Sequence, residues 1–206
     1  MTGPTTDAQR AALRTGRRLQ YATIAWNLME VFVTIGLGIA AGSLALVAFG
    51  LDSLVEVFAS LVVVWYIADH QVAGRARRAL RLVAIAFAVL AAYLVVASSY
   101  SLVTGEAADS SPFGIAYLAA TAVVMFTLAR LKHRVAATAG SQPLAAEASM
   151  TYLDGWLACG ILVALVLNAA FGFWWADPAA AFLVAAFCLR EAVENWHEAD
   201  ELPAAA

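Results

Sequence analysis

The sequence predicts an all-α membrane protein, a bundle of six transmembrane helices with both termini in the cytoplasm. Of its 206 residues, 63% are hydrophobic and only 13% are charged, and the mean hydropathy is +0.79. A soluble domain of this length carries far more charge, so the composition indicates an integral membrane protein. Six apolar stretches are also long enough to cross a bilayer, since a transmembrane helix needs about 20 apolar residues.

The first three predicted spans cover residues 20–41, 44–68 and 79–103. The first contains Asn27 and Glu30 and is about twenty residues long, whereas the core of a secretory signal peptide has about 7–15 residues. We therefore expect a retained helix rather than a cleaved signal. The second span follows a tight turn at Gly42, and the third follows an arginine-rich linker.

The last three predicted spans cover residues 113–131, 144–168 and 175–193. A polar loop precedes the fourth span, and a linker with Gly140 and Pro143 precedes the fifth. The sixth begins at Asp177-Pro178, where we expect Asp as the N-cap and Pro at the first helical position. The chain thus divides into a cytoplasmic N-terminal arm (1–19), a six-helix transmembrane domain (20–193) and a short acidic cytoplasmic tail (194–206).

Basic residues set the expected orientation. All 12 Lys and Arg residues lie in or beside the N-terminal arm, two alternate linkers and the C-terminal end, and the other three loops hold none. Because cytoplasmic loops carry the excess of Lys and Arg, both termini are expected in the cytoplasm. The high Ala and Arg content with a single Lys is typical of a GC-rich bacterial genome, so we expect a bacterial inner membrane location.

Acidic residues lie deep within the predicted spans. Asp52 and Glu56 are four residues apart, on one face of the second span, and Asp154 lies at a similar depth in the fifth. Glu30 lies near the same layer in the first span, with Asn27 one turn below it. An ionisable side chain at such a depth costs about 2.5–3.5 kcal/mol and usually marks an ion or proton path.

These acids predict a binding site for a divalent metal ion. No Lys, Arg or His is expected in their layer, so the carboxylates must be neutralised by protons or by a bound cation. Metal binding that releases protons provides a natural exchange cycle. The candidate ligands are Asp52, Glu56, Asp154, Met150, Glu30, Asn27 and Glu147. We expect no organic cofactor, no nucleic-acid partner and no enzymatic activity, and we interpret Cys159 and Cys188 as small apolar core residues.

Three stretches in order resemble the cation diffusion facilitators, proton-coupled exporters of divalent metals. They are GIAAGSLALVAFGLDSLVEVFAS, AAEASMTYLDGWLACG and WWADPAAAFLVAA, and the similarity extends over residues 27–190. The resemblance implies that Asp52 and Glu56 are the two ligands of the second helix. It also places Asp154 and Met150 on the ligand pair of the fifth helix. A homodimer and transport of Zn²⁺, Mn²⁺, Co²⁺, Fe²⁺ or Cd²⁺ follow from the same resemblance.

The sequence departs from that family pattern in three ways. Met150 replaces a residue that is often His, and Glu56 stands where Asp is typical. The cytoplasmic C-terminal domain of many members is also not expected here. Carboxylate-rich sites suit Mn²⁺ and similar hard ions, but zinc also accepts carboxylates. The sequence therefore does not decide which metal is transported. Glu30, Asn27 or Glu147 is expected to supply the remaining ligand.

Two other functions stay open from the sequence. A non-transporting accessory subunit or metal sensor on the same scaffold would explain the lost His, and it predicts weak metal binding and a partner protein. An intramembrane enzyme would need a nucleophile or a metal-held water at the depth of the acids. That enzyme hypothesis leaves the acid beside Asp52 unused, so transport remains the favoured interpretation.

Overall fold

The computed structural model describes residues 7–68, 73–105, 108–109, 111–139 and 142–201. Six helices and no strand occur within these ranges, which confirms the all-α prediction. The helices are α1 (Asp7–Ala41), α2 (Leu44–Ala68), α3 (Ala73–Thr104), α4 (Pro112–Ala139), α5 (Gln142–Phe171) and α6 (Ala176–Glu201).

All helices except α2 are longer than the predicted apolar spans, and most of the added residues lie at the end of the bundle that contains the termini. Helix α2 has the predicted bounds, but α1 begins at Asp7 rather than near residue 20, and α6 continues to Glu201. Hydropathy detects only the apolar part of a helix, whereas Ala, Arg, Leu and Glu favour helix whether or not lipid surrounds them. The predicted arm and tail therefore continue the first and last helices.

Four helices are long and apolar enough to cross a membrane when only the described residues are searched. They are Arg14–Ala41, Leu80–Thr104, Pro112–Ala139 and Ala148–Phe171. The side chains of residues 59–68 in α2 lie outside the described part, and the second half of α6 carries several charges. The six-span bundle and the orientation of its termini stay predictions.

Helix α2 occupies the middle of the packing arrangement. It packs against α1, α3 and α6, while α4 packs against α5 and α1, and α3 against α6. By contrast, α2 and α5 touch only sparsely. Helices α1 and α2 approach closely at Gly50, where an added methyl group would lie 2.5 Å from Thr34 Oγ1. Such a close approach is typical of membrane helices, which pack at small residues.

The bundle has two ends. The short-loop end, as we call it, holds the connections α1–α2, α3–α4 and α5–α6. The other end, which we call the terminal end, holds the two termini and the connections α2–α3 and α4–α5. At the short-loop end, α1 stops at Gly42, which has a φ of 62°. Ser43 N bonds Gly38 O at 2.9 Å and Gly42 N bonds Ile39 O at 3.4 Å. This Schellman pattern satisfies the last carbonyls of α1 and turns the chain directly into α2.

A carboxylate from α6 caps the start of α2. Asp177 is 2% exposed; it accepts hydrogen bonds from the Ser43 hydroxyl and, at 2.8 Å and 3.3 Å, from the backbone N–H groups of Leu44 and Ala45. Ser43 Oγ in turn accepts a bond from Leu46 N at 3.2 Å. The sequence predicted Asp177 as the N-cap of its own helix; instead it satisfies the unpaired N–H groups of α2.

Candidate metal site

Asp52 lies in the third turn of α2 and is buried against α6. Its side chain is 2% exposed, and Oδ1 accepts a hydrogen bond from the Cys188 thiol at 3.1 Å. Cys188 itself is fully buried. The interpretation of Cys188 as only an apolar core residue is therefore incomplete, because its sulfur contacts a predicted ligand.

Glu56 lies one turn further along α2 and faces α1. Its Oε2 accepts a 3.0 Å hydrogen bond from Asn27 Nδ2. Asn27 is 6% exposed, and its Oδ1 is buried without a hydrogen-bond partner. The structure thus brings together these two candidates from neighbouring helices and leaves an amide oxygen beside them available to a cation.

Asp154 of α5 lies beside Glu56, and the two carboxyl groups are within hydrogen-bonding range of each other. Asp154 is 8% exposed, and its Oδ1 is buried without a partner. Two carboxylates at this separation repel each other strongly where water is excluded, so the pair needs a neutralising positive charge from a shared proton, a bound cation or a nearby basic side chain. The structure therefore brings together one candidate ligand from α2 and one from α5, and their role as metal ligands stays a prediction.

Glu30 lies on the α1 side of the same cluster and is 1% exposed. Its Oε2 accepts a hydrogen bond from Ser53 Oγ at 3.2 Å, while Oε1 is buried without a partner. Electrostatic repulsion links Glu30 to Asp52, Glu56 and Asp154. Four acidic side chains from three helices therefore act as one charged cluster.

The remaining two candidates lie elsewhere or cannot be placed. Met150 is 39% exposed on the surface of α5, so the structure does not bury it with the four acids. Glu147 belongs to α5, but its side chain lies outside the described part. Met150 and Glu147 stay predictions as ligands.

A buried lysine lies nearer to the acids than the sequence suggested. Lys132 of α4 is fully buried, and its Nζ donates a 2.9 Å hydrogen bond to Thr151 Oγ1, one turn before Asp154 on α5. Its positive charge acts on Asp154. In the sequence, Lys132 stands among the basic residues at the end of α4, and only the α4–α5 packing shows where its side chain lies.

Sequence reasoning also missed a face of α6. Glu191 is 2% exposed and lies three residues after Cys188, on the same side of the helix. Its charge acts on Asp52 and Glu56. The Cys–x–x–Glu spacing would have indicated that Cys188 and Glu191 share a helical face. The nearby arginine and the following acids instead indicated that the span ends there.

The cluster is a chain of paired contacts rather than a closed cage. Among the described residues, no group of three His, Cys, Asp or Glu side chains is arranged to hold a metal ion. With a rise of 1.5 Å per residue, the four acids lie about 12 to 25 Å along their helices from the short-loop end. Binding one ion by three or more of them therefore requires side chains or helices to rearrange.

The comparison with protein families decides the class of the molecule. The family model for the cation efflux transmembrane domain matches residues 21–199. The chain belongs to the cation efflux family. The match includes all four clustered acids and most of every helix, which confirms the resemblance inferred from the three motifs.

Membership of the cation efflux family gives the cluster a functional context. Cation efflux proteins are multi-pass integral membrane proteins that transport divalent metal cations, and they are transporters rather than enzymes in general. The buried acids of this cation efflux protein lie between helices and away from either end. No individual curated protein matches the chain.

Proposed function

We propose that this protein exports a divalent metal ion from the cytoplasm in exchange for protons, with Asp52, Glu56 and Asp154 as the principal ligands. The single observation that carries the proposal is the adjacency of Glu56 and Asp154, two buried carboxyl groups on different helices. The unpartnered Asp154 Oδ1 provides a free coordinating atom beside them.

The chemistry of exchange follows from burial. Two adjacent carboxylates in a low-dielectric interior cannot both stay ionised without a neutralising charge. A divalent cation supplies that charge on one side of the membrane, and protons supply it on the other. Because metal ligands must be deprotonated, each binding event releases protons and each return step takes them up.

The packing of the helices supports alternating exposure of this site. Helices α2 and α5 carry the adjacent acids yet touch only sparsely, so α5 can shift relative to α2 without breaking a large interface. Asn27 and Glu30, both on α1, are placed to complete the coordination. The distribution of Lys and Arg supports a cytoplasmic location for the terminal end. The homodimer and the bacterial inner membrane rest on the resemblance and the composition.

A second candidate function is a metal sensor or accessory subunit that does not transport. The absence of a preformed group of three ligands among the described residues favours it. This alternative leaves unexplained why four acids are kept at depth, each at a cost of about 2.5–3.5 kcal/mol.

Reconstitution in liposomes with an internal pH-sensitive dye separates the two functions. Zn²⁺, Mn²⁺, Co²⁺, Fe²⁺ and Cd²⁺ are added one at a time to wild type, Asp154→Asn and the control Asp109→Asn, which changes an exposed loop acid. A metal-dependent proton flux that D154N abolishes and D109N preserves supports the antiporter. A folded, inserted wild type that is silent for every metal supports the accessory subunit or sensor.

A further inference from the structure

Cys188 joins the acid cluster from a fourth helix. With a rise of 1.5 Å per residue, Cys188 lies about 18 Å from the start of α6, and Glu56 lies about 18 Å from the start of α2. Both helices start at the short-loop end, so the two residues lie at a similar depth. The sulfur of Cys188 is 3.1 Å from Asp52 Oδ1, and both side chains are buried. Glu191, one turn further along α6, faces the same acids.

We propose that Cys188 is a metal ligand of this site and that its sulfur gives the transporter a preference for Zn²⁺ and Cd²⁺ over Mn²⁺. The proposal rests on the proposed function, since it assigns a further ligand to the same ion. Thiolates favour soft and borderline ions, whereas Mn²⁺ prefers oxygen ligands.

The geometry of the Cys188–Asp52 pair is close to that of two ligands on one ion. Zinc binds sulfur at about 2.3 Å and carboxylate oxygen at about 2.1 Å, so a tetrahedral site separates these two atoms by about 3.6 Å. The observed separation is 3.1 Å. Opening the pair by about 0.5 Å would admit the ion between them, replacing the hydrogen of the thiol. That proton leaves with those displaced from the carboxyl groups.

A second observation shows that the cluster has unfilled capacity for a ligand. Asp154 Oδ1 is buried without a hydrogen-bond partner, although the residue is only 8% exposed. Buried polar atoms are normally satisfied, so this carboxylate oxygen needs a proton shared with Glu56, a water or a bound cation. Electrostatic effects connect Asp154 to Asp52, the partner of Cys188.

The sulfur of this site therefore comes from α6 instead of α5. Met150, the sulfur that the sequence placed at the site, is 39% exposed, while Cys188 is fully buried against Asp52. An alternative is that Cys188 only fills space, since it also packs within the apolar core. The two roles differ in whether sulfur bonds the metal, which is directly measurable.

The experiment is a Cd²⁺ titration of the purified protein, monitored by the ultraviolet absorption of the cadmium–thiolate bond. The chain has two cysteines, so Cys159→Ser leaves Cys188 as the only thiol and serves as the matched control. We expect the absorption band in wild type and C159S and its loss in Cys188→Ser. We also expect C188S to bind Cd²⁺ at least tenfold more weakly, with Mn²⁺ affinity unchanged within about twofold.

A second measurement does not depend on the folding of C188S. In the C159S protein, bound Zn²⁺ should slow the alkylation of Cys188 by a small maleimide at least fivefold, and Mn²⁺ should protect it less. If C159S binds Cd²⁺ by calorimetry but shows neither the absorption band nor protection from alkylation, the assignment of Cys188 as a ligand is wrong. The proposed function is not affected by that result. A folded wild type that binds none of these ions overturns the proposed function and this inference together.

Discussion

The carboxyl groups of Glu56 in α2 and Asp154 in α5 lie within hydrogen-bonding range, although their two helices hardly touch. Contact between the acids is thus maintained across a weakly packed interface. A shared proton or cation would hold this interface closed, and its loss would allow the helices to separate. Under the proposed function, ion occupancy and helix movement would be coupled in this way.

Replacing Asn27 with Ala should weaken metal binding, because the amide holds Glu56 in place through a 3.0 Å hydrogen bond. A hydrogen bond to a charged group contributes about 1.5–3 kcal/mol, so the Kd should rise about tenfold or more. Titration calorimetry with Zn²⁺ and Mn²⁺ measures the Kd of wild type and of N27A.

The matched control for N27A is Asn168→Ala. Asn168 donates to Ala108 O at 2.8 Å near the short-loop end, away from the acids. This variant should lower stability without changing the Kd. Equal affinity losses in the two variants would contradict the role given to Asn27.

Substitution of Asp177 should destabilise the fold rather than the metal site. Asp177→Ala removes the acceptor of three bonds from Ser43, Leu44 and Ala45 and leaves buried donors unsatisfied. Loss of a helix cap costs about 0.5–2 kcal/mol, and burial adds to that cost. Thermal unfolding in detergent should show a lower midpoint for D177A and a smaller shift for Asp177→Asn. An unchanged midpoint for D177A would show that the cap is not needed.

Removal of the buried ammonium group should tighten metal binding. Lys132 acts on Asp154 with a positive charge that also repels an incoming cation. Lys132→Met should therefore lower the Kd for Zn²⁺ at least threefold and slow turnover, since release becomes harder. Arg130→Gln, which removes an exposed charge from the same helix, should change neither quantity. Weaker binding by folded K132M would contradict this electrostatic account.

The terminal end should loosen in acid. Arg77 and Arg81 donate to Asp200 Oδ1 at 3.1 Å and 3.0 Å, and these bonds lower the pKa of Asp200 from its usual value of 3.8. A lowered pKa in the folded state means that the stabilisation is present above the unfolded pKa and is lost as the pH falls through the folded pKa. Because the pair is exposed, salt should also weaken it.

Hydrogen exchange in the last turns of α6 measures this loosening. Protection, measured relative to the intrinsic exchange rate at each pH, should fall below about pH 4 and at high salt in wild type. Asp200→Asn should show the lower protection already at neutral pH and no further loss of protection in acid. Identical exchange in wild type and D200N at every pH would exclude a role for these bonds.

Much of the fold could be predicted from hydropathy, because a lipid-spanning helix must be apolar over a fixed length. The bounds of α2 were correct to the residue. The polar extensions of α1 and α6 were missed because residues outside the membrane are not constrained to be apolar. The role of Asp177 as the cap of α2 was also missed, since it depends on a contact between distant helices.

The site was predictable only where periodicity within a single helix reveals it. Asp52 and Glu56 were found from their spacing, and Asp154 from its depth. The sequence places Lys132 beside the basic linker after the fourth span and Cys188 in an apolar core, and their actual neighbours depend on how α4 and α6 pack. Met150 lies four residues before Asp154 but does not share its burial, and its role as a ligand stays a prediction.

The most direct test of the central claim is a count of the protons released when metal binds. Purified protein in a weakly buffered solution is titrated with Zn²⁺ or Mn²⁺, and wild type is compared with Glu56→Gln, Asp154→Asn and the loop control D109N. We predict proton release by wild type and D109N, and release that is reduced by at least half in each cluster variant. Metal binding by wild type without proton release, or full release by both E56Q and D154N, would contradict metal–proton exchange on these carboxylates.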